Sequence, residues 1–128
     1  MSVEGPVVEC RGLTVRRGGV PVVTDVDLVV QPGDWVAVVG PNGAGKSSLL
    51  LALAGLLPAQ GHLRLGGVDP AAAPRRRMAR LVALMPQRPV VPEGLSVREL
   101  ATLGRTPHLR RFGSESAADR DAVSRTLE

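Results

Sequence analysis

The sequence predicts an α/β fold: a small antiparallel β region, then a strand, loop and helix, then a helical segment. Three observations predict it. Residues Val22–Val30, VVTDVDLVV, alternate with a period of two, the pattern of a half-buried antiparallel strand. Residues Trp35–Val39, WVAVV, form a continuous apolar run that leads into a glycine-rich loop and the stretch SSLLLALAG, free of β-branched residues. That order fits a strand buried on both faces followed by a helix. Ser96-Val97-Arg98-Glu99 is a capping box, which opens a helix.

Each element follows in turn. Val7–Arg16 reads as the first strand, and Gly18-Gly19 supplies the turn into the alternating strand, whose two faces are Val22, Thr24, Val26, Leu28, Val30 and Val23, Asp25, Asp27, Val29. Pro32-Gly33 ends that strand, and Trp35 is expected to pack at the start of the next. The helix after the loop runs from Lys46 to Ala54, apolar all round and therefore buried, with Gly55 at its C-cap and Pro58 as a stop. His62–Leu65 is a short strand closed by Gly66-Gly67, with His62 solvated. Pro74–Arg80 is a short basic helix whose arginines, Arg75, Arg76, Arg77 and Arg80, form a solvated face. Leu81–Met85 reads as another buried strand, and Pro86, Pro89 and Pro92 make the following segment a loop. The capping-box helix ends near Leu103, Arg105–Gly113 is a turn-rich connector, and Ser116 with Asp119 opens a last helix still running at Glu128. No stop signal closes that helix, so the sequence is expected to continue. The expected division is 1–94, a nucleotide-binding core with its antiparallel β-subdomain, and 95–128, the truncated start of a helical subdomain.

Composition narrows the function classes. Of the 128 residues, 44% are hydrophobic, enough to build a core. The single cysteine, Cys10, can form no internal disulfide, which fits a reducing compartment. MSVEGPVVE has an early acid, Glu4, and no basic segment ahead of an apolar run, so no secretory signal is expected. The longest apolar stretch, Leu49–Leu57, is interrupted by Gly55 and falls short of the roughly 20 residues that span a bilayer. The net charge of +4 admits an anionic partner, yet aromatics are only 2%, so no base-stacking platform is present and nucleic acid is not expected. Lys46 is the one lysine among 16 Lys plus Arg. A compact ammonium and a planar guanidinium are not interchangeable.

That lysine stands in the motif that carries chemistry. GPNGAGKS, Gly40–Ser47, matches G-x-x-x-x-G-K-[ST] at every fixed position, between an apolar run and a helix. A chance match over this length is expected roughly a few times in a thousand. Gly40, Gly43 and Gly45 free the backbone of the loop Pro41-Asn42-Gly43-Ala44-Gly45, so that its N–H groups, from Asn42 onward, can converge on an anion. The N-terminus of the Lys46 helix adds unpaired N–H groups and its positive dipole end. Lys46 is placed to reach the β- and γ-phosphates of ATP, Ser47 to ligate Mg²⁺, and Ser48 to add a contact near the α-phosphate. The loop thus predicts binding of nucleotide phosphates. No general base for water stands out, because nothing ties Asp25, Asp27, Asp34 or Glu93 to the phosphates.

Beyond the loop, the chain resembles the ATP-binding subunits of ABC transporters. The resemblance rests on LTVRRGGVPVVTDVDLVVQPGDWVAVVGPNGAGKSSLLLALAGLL, on LVALMPQ and on GLSVRELATLGRTPH. It implies a P-loop NTPase core of the RecA-like kind, an N-terminal antiparallel β-subdomain and the start of a helical subdomain. It implies ATP hydrolysis in the intact protein, powering transport through transmembrane permease subunits, with a second copy of the ATPase as partner, at the cytoplasmic face of the membrane. Gln87 stands where the family places a glutamine that touches Mg²⁺ or the attacking water and senses the permease. From the residues alone, Gln87 is a polar group at a strand's C-terminal end, where ligand sites of open α/β sheets lie. The tail GRTPHLRRFGSESAADRDAV is similar to the ATPases for uptake of ferric siderophores, haem or vitamin B12.

Two departures stand out. Arg17 occupies the position where the family stacks adenine on an aromatic ring; a guanidinium can also stack on a base. The family's signature segment, catalytic glutamate and switch histidine have no counterpart, and His108 is not that switch. Residues 1–128 alone are therefore not expected to hydrolyse ATP. A rim of Arg105, His108, Arg110 and Arg111 is expected beside the permease-docking surface. The competing readings are a soluble ABC-type ATPase acting on nucleic acid or ribosomes, an unrelated P-loop kinase or other nucleotide-binding protein, and a regulatory half-domain.

Overall fold

The structure, a computed structural model, describes residues 5–109 and 113–128. It divides into two compact units, Met1–Ala83 and Leu84–Glu128.

The first unit is built on a three-stranded antiparallel sheet. Its strands are β1 (Val8–Arg17), β2 (Val20–Val30) and β3 (Ala59–Leu65), in the order β2-β1-β3. Gly18-Gly19 forms the β1–β2 turn, as the sequence predicts. β1 is central because it alone has ladder partners on both edges, and its Cys10, Leu13 and Val15 are fully buried. Removing such side chains from water stabilises the fold by about 1.5–3 kcal/mol each.

The alternation in β2 is not continuous. Cys10 pairs with Leu28, Leu13 with Val26 and Val15 with Val23. One extra residue therefore lies on β1 and then one on β2, and a further shift between Val15 and Arg16, which pairs with Pro21, leaves one more on β2. Asp25 takes φ 53° at the second bulge, where its N–H donates to Thr14 Oγ1 at 3.2 Å. Gly12 takes φ 60° at the first, where its N–H donates to Asp27 Oδ1 at 2.6 Å. The left-handed backbone moves the inward set from Val26, Leu28 and Val30 to Val23, and leaves Thr24 and Asp25 outside.

Helix α1 (Lys46–Leu53) lies on this sheet, and Val15, Val23 and Ala52 form the core with Val22, Val26, Leu49 and Leu57 around it. Its end is a Schellman closure: the Leu56 N–H donates to Leu51 O at 2.8 Å and the Gly55 N–H to Ala52 O at 2.9 Å. The helix is less buried than its composition predicts. Only Ala52 is buried along it, and Leu50 is 46% exposed. Helix α2 (Arg75–Leu81) starts after Pro74, buries Met78 and turns its arginines outward.

Two predicted strands do not form. Trp35–Val39 has no ladder partner and is largely exposed, with Trp35 at 89%. Leu81 belongs to α2 and residues 82–85 are not strand, with Met85 exposed. A continuous apolar run becomes a buried strand only when strands pair on its edges and helices cover its faces. Among the described residues nothing pairs with either run.

The second unit is helical: α3 (Val97–Leu103), a 3-10 turn (Thr106–His108) and α4 (Ala117–Leu127). Both predicted capping boxes are present. The Ser96 N–H donates to Glu99 Oε2 at 2.8 Å and the Glu99 N–H to Ser96 Oγ at 3.2 Å. The Ser116 N–H donates to Asp119 Oδ2 at 3.1 Å and the Asp119 N–H to Ser116 Oγ at 3.2 Å. Each box satisfies donors that a helix start otherwise leaves unpaired.

Candidate functional site

The site grows from the junction of sheet and helix in the first unit. Leu49 and Ala52 fasten α1 to Val15 and Val23, which fixes where the helix N-terminus lies. Gly45 is its N-cap, with φ 87° and ψ 6°. Two constraints select glycine there. The left-handed backbone disfavours a side chain. A Cβ would also overlap the Val22 carbonyl oxygen and come within 2.9 Å of Val23 Cγ2. The loop is thus clamped onto β2 by bare backbone.

With glycine at the cap, no side chain satisfies the first N–H groups of α1, and no acid stands in its first turn. Those N–H groups and the helix dipole favour an anion. Lys46 Nζ donates to Gly40 O at 2.7 Å and to Pro41 O at 2.8 Å. An ammonium has three donors. Two hold the start of the loop over the helix, and one remains for an anion. The Ala44 N–H donates to Pro41 O at 3.2 Å, which closes the turn between them. Asn42, Gly43 and Ser47 are exposed and Ser48 is half-buried. The Ser47 hydroxyl is an oxygen donor at the second helical position, of the kind Mg²⁺ takes. Among the described residues no three His, Cys, Asp or Glu side chains gather as a metal cage.

Arg17 ends β1 opposite Val20 on the strand that carries Val22, so the hairpin end and the loop share one scaffold. Gln87 is exposed and follows Pro86 in the second unit, outside any helix or strand. Two carboxylates are spent on local structure: Asp27 Oδ1 accepts the Gly12 N–H at 2.6 Å and Asp34 Oδ2 accepts the Gln31 N–H at 2.8 Å, while Asp25 holds its bulge through its own backbone N–H. His62 is exposed on β3 and His108 lies in the 3-10 turn.

One expected rim residue is otherwise engaged. Arg105 Nε and Nη2 both lie 2.9 Å from Asp119 Oδ1, and Arg105 is half-buried. Asp119 is the N3 residue of the α4 cap, three positions after Ser116, and an arginine opposite an N3 carboxylate is the missed signal. Hydrogen bonds from the Ser116 hydroxyl and N–H, then from Arg105, hold the Asp119 carboxyl down to about 2. Arg110 and Arg111 lie outside the described residues.

Comparison with known proteins places this geometry. The family described as ABC transporter matches residues 23–128. A hemin import ATP-binding protein, HmuV, of Bordetella parapertussis is 45% identical over 100 residues, covering 77% of this chain and 38% of that protein. The HmuV of Pseudomonas entomophila is 42% identical over 122 residues, covering 94% of this chain and 46% of its own length. A cobalamin import ATP-binding protein, BtuD, of Halobacterium salinarum is 38% identical over 117 residues, covering 91% of this chain and 29% of its own. A solved structure of the ATP binding subunit of an ABC transporter superimposes with a TM-score of 0.74 at 29% identity, over 88% of this chain and 45% of that one. The chain therefore spans less than half the length of these relatives. The shared architecture upholds the α/β, P-loop fold class with its antiparallel β-subdomain. No helix among the described residues is long and apolar enough to cross a membrane.

Proposed function

This chain belongs to the ABC transporter family, and on that premise we propose that it is part of an importer's ATPase subunit and binds Mg·ATP on Gly40–Ser48. The observation that carries the reading is the Lys46 ammonium, held on Gly40 O and Pro41 O at the acid-free N-terminus of α1. Its remaining donor faces the β- and γ-phosphates. The loop amides and the α1 N–H groups hold the phosphate chain, and Arg17 at the hairpin end stacks on the base. Ser47 holds Mg²⁺, with Gln87 as a further oxygen ligand, and the ion neutralises charge on the phosphates. By its likeness to haem and cobalamin import proteins, the substrate here is of the haem, cobalamin or iron-siderophore type. In the intact protein, hydrolysis powers transport together with transmembrane permease subunits and a second copy of the ATPase, at the cytoplasmic face of the membrane.

Residues 95–128 begin the helical subdomain in this reading. Val97, Leu100 and Leu103 repeat at helical spacing on α3 and are 71%, 41% and 55% exposed. An apolar stripe left open on a capped helix supports its role as a docking face.

The deciding experiment is nucleotide binding and ATPase activity of the full-length protein with Lys46→Ala. Both are expected to fall to background. Unchanged affinity and rate would remove the assignment.

A further inference from the structure

Helix α2 carries Arg75, Arg76, Arg77 and Arg80, all exposed. Asp69 is the only acid between Asp34 and Glu93. Its carboxylate is engaged, with Oδ2 at 2.8 Å from Arg64 Nη1 and Oδ1 accepting the Ala71 N–H at 2.9 Å. Glu9, opposite Arg64 in the β1–β3 ladder, is paired with Arg11 at 2.9 Å. Among the described residues Arg75 and Arg77 make no hydrogen bond or ion pair. Two contacts fix which way the helix faces. A Cβ on Gly55 would stand 3.8 Å from Met78 Cε, and one on Gly66 would stand 3.8 Å from Leu81 Cδ2. Met78 and Leu81 are one turn apart, so that side of α2 lies on the turns that end α1 and β3. Arg76 and Arg80, also one turn apart, fall on the opposite side. Like charges at that spacing repel. Leu56, next to Gly55, is 65% exposed, and Leu81 is 48% exposed.

We propose that the arginine face of α2 docks on the headgroups of anionic phospholipid. The inference goes beyond the nucleotide reading and takes from it only the place of the protein beside a membrane. Guanidinium forks match phosphate oxygens in pairs. Basic side chains close to an anionic bilayer are drawn to its surface potential, and salt screens that attraction. Leu56 and Leu81 beside the arginines give the patch the apolar component that interfacial binding uses. An anionic surface also relieves the repulsion within the cluster. Nucleic acid fits less well, because the chain has no Trp, Tyr or Phe between Trp35 and Phe112 on which a base could stack.

The test is sedimentation of the full-length protein with vesicles of phosphatidylcholine, alone or mixed with phosphatidylglycerol. Binding is expected to the anionic vesicles only, and to fall at high salt. Arg75→Gln together with Arg77→Gln is expected to weaken it about thirtyfold, roughly fivefold for each arginine. Arg75→Lys with Arg77→Lys keeps the charge and is expected to retain most of it. Arg120→Gln with Arg125→Gln removes two exposed arginines from α4. That pair controls for net charge and is expected to change binding little. The proposal is overturned if the protein binds neither vesicle or both alike, if the α2 and α4 pairs lose binding equally, or if duplex DNA retains the protein and anionic vesicles do not. Binding of a fluorescent ATP analogue, measured on the same variants, is expected to stay at the wild-type level. Lys46→Ala in that second assay reports on the phosphate loop alone, so failure of the nucleotide reading and failure of the lipid proposal are told apart.

Discussion

Gly45 meets the Val22 carbonyl through bare backbone, and that contact seats the phosphate loop on the antiparallel sheet. Gly43 has a similar backbone, φ 83°, yet a Cβ there would meet nothing within 4 Å. The two glycines are therefore needed for different reasons, and substitution separates them.

Gly45→Ala carries both the left-handed backbone penalty and the overlap with β2, and is expected to destabilise the protein by about 2–4 kcal/mol. Gly43→Ala carries the backbone penalty alone, about 1–2 kcal/mol. Urea unfolding of the two variants checks the difference. Equal losses would show that the Val22 contact is not a constraint.

Gln87→Ala is expected to leave nucleotide affinity nearly intact while cutting the hydrolysis that depends on the permease. Pro86 and Pro89 restrict the backbone on either side of Gln87, so the segment can pass on a displacement as a unit. ATPase rates with and without the membrane subunits decide it. Stimulation equal to wild type would leave Gln87 an ordinary surface residue.

The α4 cap has a predictable acid limit. Asp119 is held at about 2 in the folded protein, below the roughly 3.9 of an unfolded aspartate. A depressed pKa stabilises the fold in full above the unfolded value, and that contribution is lost as pH falls through the folded one. Stability should therefore drop between about pH 4 and pH 2 by a component that Asp119→Asn removes. Thermal melts of the two proteins across that range test it, and parallel curves would exclude Asp119 as the source. Ser116→Ala, which deletes the hydroxyl of the same cap, is expected to cost about 1 kcal/mol at neutral pH.

Cys10 should be inert in the native state. It is fully buried in β1, and burial is the main cause that pushes its thiol pKa up. Alkylation by iodoacetamide near pH 8 is expected to be slow until denaturant is added. Fast native labelling would mean that β1 opens locally far more often than a central strand should.

Much of this arrangement was legible in the residues. The spacing of GPNGAGKS located the loop and the start of α1 at Lys46, and both capping boxes marked the starts of α3 and α4. These are local signals, in which the groups that satisfy one another stand within a few positions. The two apolar runs were misleading for the opposite reason. WVAVV and LVALM have the composition of core strands, but a strand is a pairing, and no partner for either lies among the described residues.

The sequence by itself determined the chemistry: a lysine, a serine and three glycines at fixed spacing ahead of a helix, with no acid near them. The tertiary structure decided where that chemistry sits and what holds it. Paired bulges at Gly12 and Asp25 shifted the inward face of β2 to Val23. They left Val22 as the surface that admits only glycine at position 45. It also decided that Asp25 and Asp27 serve the sheet, and that Arg105 serves Asp119. Periodicity and spacing cannot show such choices, because each depends on contacts between residues more than ten positions apart, and only folding brings those residues together.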